Sequence, residues 1–93
     1  MIANVTGELR RREATVLYAL RFLADDEGKV TVRHRDLATA LGWRHHTGIR
    51  NTTRDLERRG LIRIHPNGVA ANTFEVTALG HEVAGGAQEW SAA

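Results

Sequence analysis

Residues with the chemistry to bind nucleic acid recur at helical spacing in the middle of the chain. On a helical wheel at about 100° per residue, five of them fall within about 100° of arc: Thr47, Arg50, Asn51, Arg54 and Arg58. Arginine matches guanine O6 and N7, asparagine matches adenine N6 and N7, and a threonine hydroxyl bonds a phosphate or its methyl touches thymine. The face holds no acid, whereas a solvated helix face usually mixes Glu with Lys in i,i+4 pairs. The pattern favours contact with DNA; the alternative is an exposed helix with solvated arginines.

The opposite side of the same helix is the side that docks inward. It carries Ile49, Thr53 and Leu56, and Gly60 ends the helix. We therefore expect base contacts from the helix front, namely from Thr47, Arg50, Asn51 and Arg54. We expect phosphate contacts from the flanking basic residues, namely from Arg44, His45, His46, Arg58 and Arg63.

Charge is distributed unevenly along the 93 residues. The formal net charge is only +2, but residues 33–63 hold eight arginines and three acids. The rest of the chain holds five basic and eight acidic residues. A basic middle between acidic flanks is typical of a polyanion-binding face.

The elements that must position these residues are three helices in the first two thirds of the chain. Helix 1 is predicted from an N-cap at Thr6 to Asp25, and helix 2 from Arg33 or His34 to Leu41. Gly42 ends helix 2, and helix 3 follows a short turn and runs to about Arg59. Between helices 1 and 2, residues 29–32 are either a small strand or an extended entry to helix 2.

The pattern of the last third of the sequence predicts a β-hairpin and a short helix. Strands at 61–65 and 73–77 enclose a loop that begins with the turn Pro66-Asn67-Gly68 and reaches about Asn72. Thr77 caps a helix from Ala78 to about Ala84, which Gly85-Gly86 ends. Residues 86–93 are expected to form a flexible tail. Its Trp90 either folds back onto helix 1 or docks on a second copy.

This order of elements predicts an α+β winged helix-turn-helix. It has a three-helix core, a two-stranded β-hairpin wing and a short C-terminal helix. We expect one domain over residues 1–93, with its core at about 8–85.

Three segments resemble winged-helix bacterial regulators of the MarR and PadR kinds. Residues 37–42 (LATALG) resemble the first helix of the helix-turn-helix, and residues 53–62 (TRDLERRGLI) resemble the end of the recognition helix. Residues 74–80 (FEVTALG) are similar to the segment after the wing. The resemblance implies that helix 3 enters the major groove and that the hairpin reaches phosphates or the minor groove. The wing contacts it implicates are His65, Asn67 and Gly68.

The chain departs from this family in three respects. The wing tip, residues 66–72, holds no Arg or Lys, and Thr52 or Thr53 stands where the family has an aliphatic residue. The segment from Gly42 to Gly60 is about one residue longer than expected. Within these 93 residues we expect no counterpart of the long dimerisation helices of MarR-like proteins.

Other functional classes find little support. There is no cysteine, no glycine-rich phosphate loop, no serine in a nucleophile context and no histidine pair at metal-binding spacing, so we expect neither an enzyme nor a metal or other cofactor. For His45 and His46, the alternative to a phosphate contact is a solvated or helix-capping role. Trp43 either fills the gap between helices 2 and 3 or stacks on DNA. No apolar run is long enough for a membrane span, and we expect a cytoplasmic protein without a small-molecule ligand.

These patterns predict a sequence-specific double-stranded DNA-binding protein, a small transcriptional regulator that binds as a possible homodimer. Two alternatives remain open. One is a winged-helix adaptor that binds protein, for example a phage protein that acts on host machinery. The other is a DNA-architectural or excisionase-type factor.

Overall fold

The computed structural model describes residues 9–67 and 71–92, and the side chains of residues 9–67 and 71–85. It confirms the α+β winged helix-turn-helix. The elements in chain order are α1 (Arg11–Leu23), β1 (Lys29–Val32), α2 (His34–Ala40), α3 (His46–Arg58), β2 (Ile62–Asn67), β3 (Ala71–Val76) and α4 (Ala78–Ala92).

Helix α1 begins later than the sequence predicted. Its N-cap is Arg10, whose backbone N–H donates to Glu13 Oε1 at 2.9 Å. A glutamate at this position satisfies an N–H that has no partner within the helix, so the chain can start the helix there. The predicted cap Thr6 lies outside the described residues. From the second turn onward, Val16, Leu17 and Leu20 are fully buried.

The segment at 29–32 is a strand, which settles the alternative in favour of a sheet of three strands. The strand order is β1-β3-β2, and both pairs are antiparallel. Phe74 lies at the centre of β3, opposite Val30 on one side and Ile64 on the other, and is fully buried. The wing is therefore braced by a third strand.

The hairpin strands are longer than expected, and the predicted loop at 66–72 was wrong. β2 continues to Asn67 and β3 begins at Ala71, with Pro66 opposite Asn72. Proline has no N–H to donate, but β2 is at the edge of the sheet, where one side needs no partner. Gly68 lies outside the described residues.

The C-terminal helix also differs from the prediction, because it does not end at Gly85-Gly86 but runs to Ala92. A glycine inside a helix costs only about 1 kcal/mol relative to alanine, and alanines flank the pair on both sides. The side chain of Trp90 lies outside those described. At the other end, Thr77 caps the helix as predicted: its Oγ1 accepts the Gly80 N–H at 3.0 Å.

One hydrophobic core joins the helices to the sheet. Fully buried side chains come from α1, α2, α3 and the hairpin with the residue before it, including Leu17, Leu37, Leu56, Leu61 and Phe74. Because α3 contributes to this core, its outer face has a fixed orientation. Within the described part of the chain, no helix has the length and apolar character to cross a membrane.

Candidate nucleic-acid interface

Helix α3 has a buried back. Ile49, Leu56 and Thr53 are fully buried and Thr52 is nearly so. The Thr53 hydroxyl donates to the Arg50 carbonyl at 3.0 Å, so a threonine is accommodated where an aliphatic residue was expected. The amphipathic division predicted from the spacing is present in the structure.

The front of α3 is open to solvent. Thr47, Arg50, Asn51 and Arg54 are all exposed along one side of the helix. Their types and their alignment suit base edges in a major groove, which is wide enough for one α-helix. Whether they contact bases stays a prediction.

Two contacts hold the C-terminal end of α3 in place. Arg59 Nε lies 3.1 Å from Glu13 Oε2, and that glutamate side chain is only 5% exposed. Glu57 Oε2 accepts the Ile64 N–H at 2.9 Å, which ties the helix to β2. Arg59 is therefore an internal ion-pair residue, unlike the arginines on the helix front.

A basic cleft of about 350 Å³ lies beside the N-terminal half of α3. We call it the α2–α3 cleft; it is lined by Arg33, His34, Arg35, His46, Arg50, Ala71 and Asn72. The contact residues predicted from the sequence did not include Arg33, His34, Arg35 or Asn72. The first three begin the helix that precedes the recognition helix, and such helices cross the DNA backbone, so their position was the available signal.

His34 lies among the positive charges of this cleft. Its ring lies edge-on to Phe74, with 5.7 Å between the ring centroids. Burial lowers the pKa of His34, and the positive charges of Arg50, His46 and Arg54 lower it further. A field that disfavours another proton favours an anion such as a phosphate.

The turn before α3 places two of the predicted phosphate contacts in solvent. Arg44 and His45 are exposed, and His45 is the N-cap of α3 without a side-chain cap bond. Trp43 is partly buried and packs against the core, which agrees with the first of its two alternatives, the gap between helices 2 and 3. The Arg12 guanidinium lies over its ring, 5.3 Å from the centroid.

The other predicted phosphate residues have mixed surroundings. Arg58 is exposed and pairs with Asp55 at 3.0 Å, and His46 is exposed at the start of α3. Arg63 is exposed on β2, opposite Glu75.

The wing residues are partly engaged within the protein. His65 Nε2 lies 2.9 Å from Glu75 Oε1, and this hydrogen bond is the main cause that lowers the pKa of Glu75. The charges of Lys29 and Arg63 add to the lowering, whereas burial opposes it. Asn67 is exposed at the end of β2.

Comparison with solved structures identifies regulators with the same fold. S. aureus MepR in complex with DNA matches with a TM-score of 0.71 and 19% identity, over 88% of this chain and 64% of that one. A MarR-family transcriptional regulator from Rhodococcus sp. RHA1 matches with a TM-score of 0.72 and 26% identity, over 94% and 58%. A mutant of S. aureus MepR bound to an oligodeoxyribonucleotide matches with a TM-score of 0.69 and 19% identity, over 90% and 60%.

The chain thus spans about three fifths of the length of the structures it matches. No protein-family model matches the sequence, and no curated protein matches it. What the likeness establishes is the fold: this chain has the winged helix-turn-helix domain found in those regulators.

Proposed function

From the winged helix-turn-helix domain that this chain shares with MarR-family regulators, we propose that it is a sequence-specific double-stranded DNA-binding protein and a small transcriptional regulator. It acts by inserting α3 into the major groove. The observation that carries this proposal is the front of α3: four exposed side chains suited to base edges, on a helix whose back is locked into the core. Such a regulator works by occupying its site, in the cytoplasm where bacterial DNA lies.

The contacts divide by chemistry. Arg50 and Arg54 supply forked donors for guanine, and Asn51 supplies the donor and acceptor pair for adenine. Thr47 lies at the N-terminal side of these three. Arg44, His45, His46, Arg58 and Arg63 meet phosphates, which fix the register of the helix but carry no sequence information.

The α2–α3 cleft adds phosphate contacts that the spacing alone did not suggest. Arg33 and Arg35 lie at the start of α2, and they share the cleft with His46 and Arg50 of α3. A strand of the DNA backbone that borders the groove would pass this cleft when α3 is inserted. The two MepR structures, which share the fold of this chain, were solved with DNA, and this supports DNA as the proposed ligand.

We further propose that two copies bind a two-fold site, because one module of this size buries too little surface for high specificity. Large apolar side chains that are exposed in the described part of the chain lie on α1 and α4 and not on the front of α3. They are Tyr18, Phe22, Leu23 and Leu79, and Phe22 is 87% exposed. Sedimentation with and without a duplex that carries two half-sites measures the stoichiometry.

The test of DNA binding is selection from a random double-stranded oligonucleotide pool with the purified protein. We expect one enriched sequence, bound about 10³-fold or more tightly than a random duplex of equal length and composition. The logarithm of the binding constant should fall linearly with the logarithm of salt concentration. Absence of any preferred sequence, with negligible duplex binding at ~0.15 M salt, would overturn the proposal and leave the protein-binding adaptor.

A further inference from the structure

A second basic cleft borders α3; Arg44 and His45 of its lining are proposed phosphate contacts, but its residues from α1 have no role assigned above. Its volume is about 480 Å³, larger than the α2–α3 cleft. We call it the α1–α3 cleft; it is lined by Arg11, Arg12, Thr15, Trp43, Arg44, His45 and Gly48. Three arginines and no acid line it, so an anion is the ligand that its charge favours.

The wall of this cleft is built from an aromatic ring and a guanidinium. Trp43 packs partly against the core, and Arg12 lies over its ring at 5.3 Å. A Cβ atom added to Gly48 would lie 3.5 Å from Trp43 Cε3 and 3.9 Å from Arg12 Nη1. Gly48, Trp43 and Arg12 are therefore closely packed. A guanidinium held by a ring loses less freedom when it binds an anion.

The arginines of this cleft differ from those that are already paired. Arg58 and Arg59 each have a carboxylate partner. Among ion pairs formed within the described residues, none involves Arg11, Arg12 or Arg44. Their charges are therefore available to a ligand.

The position of the two clefts on α3 identifies that ligand. On the helical wheel, His46 of the α2–α3 cleft and Gly48 of the α1–α3 cleft lie about 100° to either side of Thr47. The two clefts thus open on opposite sides of the helix front. A helix in a major groove is bordered by one phosphate backbone on each side.

We propose that the α1–α3 cleft binds a backbone phosphate of the DNA strand opposite the one that the α2–α3 cleft meets. This inference rests on the proposed insertion of α3. Arg12 is the principal phosphate contact and Arg44 a second one. Trp43 is a positioning residue, which holds the Arg12 guanidinium toward the phosphate.

The test measures the salt dependence of binding to the selected duplex by fluorescence anisotropy. Arg12→Gln should lower the log–log salt slope by about 0.9, and Arg12→Gln with Arg44→Gln by about twice that. Arg12→Gln should weaken binding about fivefold at ~0.15 M salt, the factor that a slope of 0.9 implies relative to 1 M. The loss should be equal on selected and random DNA, because a phosphate contact carries no sequence information.

A neutral methylphosphonate scan locates the phosphate. In each strand in turn, one linkage is made uncharged, and binding by the wild type and by Arg12→Gln is compared. The wild type should lose affinity at one linkage bordering the groove at which the Arg12→Gln variant loses none. Lys29→Gln removes the same charge from β1, outside both clefts, and should keep the wild-type slope and scan.

The role of Trp43 has its own readout. Trp43→Phe should keep the salt slope, whereas Trp43→Leu should lower it in a protein that circular dichroism shows to be folded. A salt slope in Trp43→Leu equal to that of the wild type would show that Trp43 does not position Arg12.

If the wild type binds the duplex but Arg12→Gln changes neither the salt slope nor the methylphosphonate scan, the cleft proposal fails and the proposed function stands. If the wild type does not bind duplex DNA, the proposed function fails with it.

Discussion

Helix α3 and the wing differ in what their charged and polar groups contact. On α3, Arg50 and Arg54 face solvent on a helix that its buried back and an ion pair hold in place. In the wing, His65 is bonded to Glu75 on the neighbouring strand. The guanidinium groups on α3 are therefore available to a ligand and their helix is held in place by the core. In the wing, the ring of His65 already has a hydrogen-bond partner within the protein.

Under the proposed function, this difference predicts separate roles for the two regions in DNA binding. Sequence preference should depend on the side chains of α3, and the wing should add a small, sequence-independent contribution through Arg63. Residues 66–72, which include the end of β2 and the start of β3, hold no Arg or Lys, and this agrees with a minor role for the wing. A wing variant that changes the preferred DNA sequence would contradict these separate roles.

The largest effect should come from the support of α3. Leu56 is fully buried, and Leu56→Ala should lower the free energy of unfolding by about 2–5 kcal/mol, because a large buried side chain is lost and a cavity is left. Asn67→Ala, at the exposed end of β2, is the control and should change stability by less than about 0.5 kcal/mol. Chemical denaturation followed by circular dichroism measures both. Equal losses of unfolding free energy in the two variants would show that the packing of α3 stabilises the protein no more than the end of β2 does.

The second effect concerns DNA affinity. Arg50→Ala and Arg54→Ala should each weaken binding to the selected sequence by about 1–3 kcal/mol and relax the preference at one base pair. Arg63→Ala should weaken selected and random DNA alike and lower the salt slope by about 1. Fluorescence anisotropy with single-base variants of the duplex separates these outcomes. Unchanged binding by both helix variants would rule out the proposed docking of α3.

Local patterns were enough to predict most of the fold. The apolar spacing of α3 identified its buried side, and Gly42 and Gly60, with φ of 73° and 77°, end α2 and the α3 region as expected. The order of elements was sufficient for the winged helix-turn-helix. These features depend on residues a few positions apart, which periodicity and turn chemistry describe well.

What the sequence did not reveal depends on partners far along the chain. Whether 29–32 formed a strand was decided by pairing with the distant strand β3. The Glu13–Arg59 pair joins residues 46 positions apart, and neither cleft could be seen before the helices were packed. The predicted end of α4 at Gly85-Gly86 was wrong because a glycine's cost of about 1 kcal/mol is small enough for neighbouring residues to override.

A third prediction concerns the pH dependence of DNA binding through His34. Burial and the charges of Arg50, His46 and Arg54 lower its pKa in the free protein, which disfavours the protonated ring. A phosphate bound in the α2–α3 cleft would raise that pKa, so binding would take up a proton and tighten as pH falls from about 7.5 to 5.5. The gain should not exceed about tenfold per unit of pKa change.

The control for this prediction is His34→Gln, which keeps a polar side chain but cannot titrate. The difference between the two proteins in the slope of affinity against pH isolates the contribution of His34. Identical slopes would mean that no phosphate lies near this ring. Such a result would not contradict the base contacts predicted for the front of α3.

The smallest effect should come from the His65–Glu75 pair of the wing, which is partly open to solvent. The hydrogen bond from His65 lowers the pKa of Glu75 in the folded protein. Its contribution to stability is present above the ordinary pKa of a glutamate, near 4.5, and is lost as pH falls through the lower folded value. Between pH 6 and pH 3 the melting temperature of the wild type should therefore fall slightly more than that of Glu75→Gln, by thermal denaturation. Parallel curves for the two proteins would show that the pair does not stabilise the wing, and that the wing differs from α3 even more than the structure indicates.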